Sequence, residues 1–539
     1  MRHSDLARRG RGIVAAAFFG LLAITTTACS SGASGDSTAD GGEPVDGGEL
    51  TIGIDIDPAC IDPHLVSTNI AFGITRTITD GLTDQDLETG EIVPWLAESW
   101  EVNDDSTEFT FHLRDGVTFS DGTPFDAEAV KANIETMAQL GADGPLVSSY
   151  VAGLESAEVV DDSTITITFA APNAQLLQAT ATPAMGMVSV ATTQMSPTER
   201  CEAGAVGTGP YVFESYSAND ATVVTKREDY DWGSSTWASQ GAAHVDTIDF
   251  QVIPEASTRV GALQSGQVDV ATQIPSQNID QFDGQGGMHL VTRPNPGLTA
   301  TLLFNLEHPV MADQAVRQAI ALGVNREDIL TVLGKTAQPA EGLLTQVTAG
   351  WSDLSDEVVY DPEAAEEVLD EAGWEVGSDG IRVKDGQRLT IDYTNFNTPV
   401  EVGELIQSNL SELGMEIDLS QVSSAEITQA WADGTFDMTY QYSTRNDIDV
   451  FRNLLGTAGA NNYNVDDPDL QALLDESARV SDPEGRADMA EEIQQYILEK
   501  AYGVPLYSFV TVYAASDTVH DFAFEASSRM QLHDVWIQQ

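Results

Sequence analysis

Basic side chains are scarce in this chain. Lys and Arg total 24 against 85 Asp and Glu, a formal net charge of −61 over 539 residues. Nucleic acids are held by clustered cations, so this balance excludes them as partners, and an anionic lipid surface finds nothing to attract. The acid excess has no EF-hand spacing and reads as a solvated surface, one suited to high salt, where self-repulsion is screened. Cysteine is equally rare, with three in all. The eight histidines are scattered, with no pair at helical spacing and no Cys–His cluster, which leaves direct metal coordination unsupported. Signatures of a nucleophile elbow, a zinc-protease helix or paired catalytic carboxylates are missing. Asp121 and His112 lack a base–nucleophile partner, so no catalytic residue is assigned and no cofactor is expected. Past residue 24 no apolar run is long enough to span a bilayer.

What is present begins at the N-terminus. Arg2, Arg8, Arg9 and Arg11 precede a short apolar run, Ile13 to Ile24, in the order of a secretory signal. Cys29 follows small Ala28 and resembles the cysteine of a bacterial lipobox, with Thr26 where Leu is usual. The resemblance implies removal of residues 1–28 and lipidation of Cys29. Residues 29–47 are rich in Ser, Gly, Asp and Thr and read as a flexible tether. Export leaves Cys60 and Cys201 as an even remainder in oxidising surroundings, which favours a disulfide; two buried thiols are the alternative that spacing leaves open. Such a bridge would be worth roughly 4–5 kcal/mol in the chain-entropy picture.

The first half of the chain alternates. "ELTIGIDI", "EFTFHL", "STITITFA" and "ATVVTK" have the period of half-buried strands, divided by turn chemistry such as "NDDST" and "SDGTPF". Helical spacing enters at "DAEAVKANIETMAQL", with Asp126 as N-cap, and at "STRVGALQSG", with Ser257 as N-cap. The second half is richer in helices, and Gly323, Gly334 and Gly414 fall where C-terminal glycines belong. "MEIDLSQV", "DMTYQYS" and "VPLYSFVTVYAAS" are expected strands. The class is mixed α/β.

Several stretches then match one family in order: "DGLTDQDLETGEIVPWLAESWEVNDDSTEFTFHLRDGVTFSDGTPFDAEAVKANIE", "VGTGPYVFESY", "FNLEHPVMADQAVRQAIALGVNREDIL" and "ADGTFDM". The chain resembles the family 5 solute-binding proteins of ABC importers, from about residue 48 to the end. The resemblance implies an α/β fold of two lobes closing as a hinged clamp, with an extra subdomain on the first lobe. Lobe I would comprise 48–80, 203–300 and 504–539, the extra subdomain 81–202 and lobe II 301–503. It further implies a monomeric receptor outside the cytoplasm, anchored by lipid to the outer face of the membrane. That receptor would carry peptides or peptide-like molecules to ABC permease subunits.

In peptide-binding relatives an aromatic and then an amine-pairing Asp follow the "GTFD"-type strand. Here Tyr442 takes the aromatic place and Arg445 falls where the Asp is expected, a reversal of charge. Three readings stand: Arg445 grips an anionic ligand group, or it pairs with Asp447 or Asp449, or the register slips and Asp447 holds the amine. "DYTNFNTPV" also lacks the Arg that dipeptide relatives use for the ligand carboxylate. The expected ligand contacts are therefore Tyr440, Tyr442, Thr444, Arg445 and Asp447.

Overall fold

The computed structural model describes residues 43–538 other than 283–285, 397 and 458. The expected signal segment, Cys29 and most of the tether lie outside the described residues. No helix among the described residues is long and apolar enough to cross a membrane.

The alternating segments become strands as their patterns dictate. Glu49–Ile54 pairs in parallel with Thr247–Val252, and the Leu50, Ile52 and Ile54 side chains are fully buried. Around them a sheet of twelve strands runs through the molecule, and the strand Gly503–Ser516 belongs to both of its halves. Residues 503–509 of that strand pair with Gly297–Phe304 and Ala337–Pro339. Residues 510–516 pair instead with Met288–Pro294 and Val270–Ala271. The sheet thus divides into two lobes, and the chain crosses between them at 294–297 and again at 509–510. The expected lobe boundaries at 300/301 and 503/504 fall inside Gly297–Phe304 and at the start of Gly503–Ser516, a few residues from these crossings.

Lobe I packs its core on Ile52, Ile74, Phe250 and Met530. Lobe II has a separate core built from Leu302, Ile320, Ile406 and Met438. The extra subdomain is a four-stranded antiparallel sheet, Ala97–Val102 beside Glu108–Leu113, Thr164–Phe169 and Leu154–Asp161, with its own core of Phe109, Phe111, Ile134 and Ile167. Burying each such side chain fully contributes about 1.5–3 kcal/mol, enough for each core to hold its own layer together.

Local chemistry agrees with the sequence at Asp126, which accepts from the Ala129 N–H at 2.9 Å and opens the helix Ala127–Leu140. It disagrees at Ser257. The helix Ala256–Gln264 starts earlier and is capped by Glu255, which accepts from the Thr258 N–H at 2.7 Å, while Ser257 Oγ donates to the same carboxylate at 2.6 Å. The acid satisfies an orphan donor of the first turn and meets the positive end of the helix. Gly334 and Gly414 do take positive φ after their helices, but Gly323 does not. Gly323 is small for another reason, since a Cβ there would stand 2.4 Å from Leu413 Cδ1. In "GTGPY" a Cβ on Gly207 would sit 2.0 Å from the carbonyl oxygen of Ile78, so this loop lies directly against the end of the helix Asn69–Ile78.

Cys60 and Cys201 form a disulfide across a sequence separation of 141 residues. Beside it Arg200 is fully buried, donating to both oxygens of Asp62 at 2.7 and 2.8 Å and to His64 Nδ1 at 2.8 Å. His64 Nε2 faces the Gly186 carbonyl at 2.9 Å, so its proton sits there and the ring is neutral. Burial depresses the imidazole to about 4.

Candidate ligand-binding site

The strand Met438–Thr444 follows the turn after the helix Ser424–Asp433 and lies beside Gly297–Phe304 in lobe II. Its C-terminal end points at the helix Asn69–Ile78 of lobe I, whose N-terminus is capped by Thr68. Between the two lies a cavity of about 700 Å³. Lobe I contributes Asp55, Asn69, Phe72 and Arg529 to its wall, and lobe II contributes Phe396, Trp431, Tyr440, Tyr442 and Thr444. Phe509 and Asn295, at the two crossings, line it as well. A volume of this order suits a ligand of a few residues' size.

The aromatic wall is a cluster of mutually tilted rings. Tyr442 and Phe509 have ring centroids 4.7 Å apart, and Tyr440 lies 6.1 Å from Tyr442. The Tyr440 hydroxyl shares a hydrogen bond of 2.9 Å with the Tyr507 hydroxyl, and burial pushes the Tyr440 phenol well above its ordinary value, so both stay neutral. Thr444 Oγ1 accepts from Asn69 Nδ2 at 3.3 Å, a hydrogen bond that crosses from lobe to lobe.

Of the five expected contacts, Tyr440, Tyr442 and Thr444 line this cavity. Arg445 and Asp447 do not. The strand ends at Thr444, and the turn beyond it carries Arg445 into a second cavity of about 390 Å³ between lobe II and the extra subdomain. There its Nη1 lies 3.3 Å from the side-chain amide of Gln175 and 3.4 Å from Asp449 Oδ2. Nη2 lies 3.4 Å from Ser149 Oγ, and the guanidinium covers the Tyr150 ring at 4.8 Å. Arg452 Nε shares Asp449 at 2.5 Å, offsetting burial, which pushes that carboxyl up. Asp447 lines a third cavity and is paired with Arg486.

The residue that sequence reasoning missed is Arg529. It is 4% exposed, lines the central cavity and stands 4.6 Å over the Phe72 ring. Its Nε donates to Asn69 Oδ1 at 3.1 Å, and Nη1 has no hydrogen-bond partner among the described residues. The nearby Glu525 turns its oxygens to the backbone N–H groups of Ser527 and Arg529. Burial pulls the Arg529 guanidinium below its usual range, with Glu525 opposing. The one signal in the sequence is solitude, since no other Lys or Arg follows Lys500.

Comparison with known proteins agrees with this architecture. The family model for bacterial extracellular solute-binding proteins, family 5, matches residues 91–464. The nickel-binding periplasmic protein of Escherichia coli strain K12 is 28% identical over 408 residues, covering 73% of this chain and 74% of the relative. Glutathione-binding protein GsiB of Escherichia coli O1:K1 / APEC is 24% identical over 91% of this chain and 94% of its own length. Among solved structures, NikA from Brucella suis in complex with Fe(III)-EDTA superposes with a TM-score of 0.77 at 26% identity, covering 91% of this chain and all of that one. Two lobes, an inter-lobe cavity and this match together place the chain in family 5 of the bacterial extracellular solute-binding proteins, as a solute-binding receptor.

Proposed function

We propose that this chain captures peptides or peptide-like small molecules between its lobes and passes them to the membrane subunits of an ABC importer, catalysing no reaction. The observation that carries the reading is the central cavity itself, walled by both lobes, which two crossings of the chain join among the described residues. A ligand filling that space contacts both halves at once, so its binding energy selects the closed arrangement, which is what a permease can recognise. Tyr440, Tyr442 and Thr444 are its proposed contacts in lobe II, and Arg445 and Asp447 act from outside the cavity. The similarity to a glutathione-binding protein supports a peptide-sized ligand. Lipidation of Cys29 on the outer face of the membrane, with residues 30–47 as tether, would hold a monomeric receptor near its permease and raise its effective concentration there.

A multiply charged anion, such as a metal chelate, is the second reading. Arg529 in the wall favours it, and Asp55 in the same wall opposes it. The test is native mass spectrometry of the full chain purified from the organism that makes it. A peptide-like compound at one per chain is the expected result. Protein that carries no compound, and that no member of a peptide library stabilises against heat, would overturn the proposal.

A further inference from the structure

We propose that the cavity between the extra subdomain and lobe II is a second ligand site, which takes a small organic ammonium ion and thereby holds these two parts together. It is the cavity bordered by Asp447, about 390 Å³ in volume, and it shares no lining residue with the central cleft. Ile92, Trp100 and Leu177 line it from the subdomain and Ile448, Pro483 and Ala487 from lobe II, so it is apolar on both sides. One buried polar atom in its wall is unmet. Gln178 is 5% exposed and lines the cavity, and its Oε1 has no hydrogen-bond partner among the described residues. An acceptor left in this state costs free energy that a donor on a ligand recovers.

Charge gives the class of that donor. Among the lining residues Glu91 and Asp447 are the acids and Arg486 the one base, so the wall carries one negative charge in sum. Arg486 is turned to the protein: its Nη1 donates to the carbonyls of Ser477 and Val480 at 3.1 and 2.8 Å, and its Nη2 pairs with Asp447. The amides beside it are engaged too, Asn446 Nδ2 donating to Gln85 Oε1 at 3.0 Å and Gln85 Nε2 to the Gly90 carbonyl at 2.9 Å. An anion would meet a wall of its own sign. An ammonium ion with an apolar body meets the Gln178 oxygen, the surplus acid Glu91 at the rim and the Trp100 ring.

The cavity exists only where the two parts meet. Ser106 Oγ donates to the Arg479 carbonyl at 2.8 Å and the Ala174 N–H to the Ala478 carbonyl at 2.9 Å, links that join the same subdomain to lobe II. An occupant touches both walls in this arrangement alone. On the clamp reading above, on which this last step rests, it therefore strengthens the hold on whatever fills the central cleft.

The test uses the full chain and three probes of similar shape: phenethylammonium, phenethyl alcohol and phenylacetate. In crystals soaked with the para-bromo ammonium probe, anomalous bromine density is expected between Trp100 and Ile448. Bromine in the central cavity alone, or nowhere, overturns the site. Calorimetric titration is expected to show phenethylammonium binding at least about tenfold more tightly than the alcohol, the size of a lost charged hydrogen bond, with phenylacetate weakest. Equal binding of the alcohol, or tighter binding of phenylacetate, overturns the class, whether or not any variant folds. Ala487→Phe fills the space from lobe II and should abolish binding of the ammonium probe; undiminished binding by that variant places the probe elsewhere and overturns the site. Saturating phenethylammonium should tighten binding of the compound recovered by native mass spectrometry about fivefold or more, and unchanged affinity overturns the coupling. The bromine density decides the site even if the chain carries no compound, so a failure here and a failure of the receptor reading are told apart.

Discussion

Arg445 is 5% exposed and Arg529 4%, the first bordering a cavity beside the cleft and the second the cleft itself, and their surroundings differ in kind. Arg445 is enclosed by Asp449, Gln175, Ser149 and the Tyr150 ring, all within contact, and so binds the end of a lobe II strand to the extra subdomain. Arg529 has one amide oxygen and one ring, with a guanidinium nitrogen left over. Position in a recognisable motif pointed to the first. Partner count points to the second. A buried charge whose hydrogen bonds are met inside the protein serves the fold, and one whose bonds are unmet is free to serve a ligand.

Arg200, held by both oxygens of Asp62 and by His64, marks the ion-paired extreme of that comparison, and the largest effect is expected there. Arg200→Met leaves Asp62 buried without its counter-ion and should cost about 3–5 kcal/mol in chemical denaturation, with no selectivity among ligands. His64 belongs to the same cluster and gives a pH signature. Its folded value of about 4 lies below the unfolded 6.5, so the neutral ring adds stability that is fully present above 6.5 and lost as pH falls through about 4. The stability difference between the natural protein and His64→Gln should therefore shrink by up to about 3 kcal/mol between pH 7 and pH 4, read from denaturation midpoints at each pH. A difference that stays level across this range would mean that His64 takes up its proton as readily in the folded as in the unfolded state.

Arg445→Ala comes next. It removes a link between lobe II and the extra subdomain while Arg452 still holds Asp449, so a loss of about 1–3 kcal/mol is expected, spread evenly over every ligand tested. A loss confined to acidic ligands would reverse the assignment and bring Arg445 back as an anion contact. The smallest stability effect belongs to Arg529→Gln, about 1 kcal/mol or less in the empty protein by thermal denaturation, because the charge removed has no carboxylate partner to strand. A large loss in the empty protein would place Arg529 with Arg445.

The fold was legible because alternation and caps are local. The period-two segments became strands, and Asp126 caps its helix through a side chain three residues from its partner. The crossings between lobes were less legible, because Gly503–Ser516 is buried along nearly its whole length and changes partners without changing pattern. Ser257 failed as a cap since an acid two residues earlier opens the helix and draws the Ser257 hydroxyl to itself. In the site, Tyr440, Tyr442 and Thr444 were within reach because they lie on the strand that the family resemblance marks. That strand stops at Thr444, and the next turn sends Arg445 and Asp447 into neighbouring cavities. Arg529 was hidden because it is set in the cavity wall by contacts with Asn69 and Phe72, more than 450 residues away in the chain.

Small-angle scattering of the full chain, with and without the compound recovered by native mass spectrometry, tests the clamp most directly. The account predicts a smaller radius of gyration once that compound saturates the protein, and the same compound unaltered afterwards. Superimposable profiles at saturation, or a compound chemically changed by its stay, would contradict it.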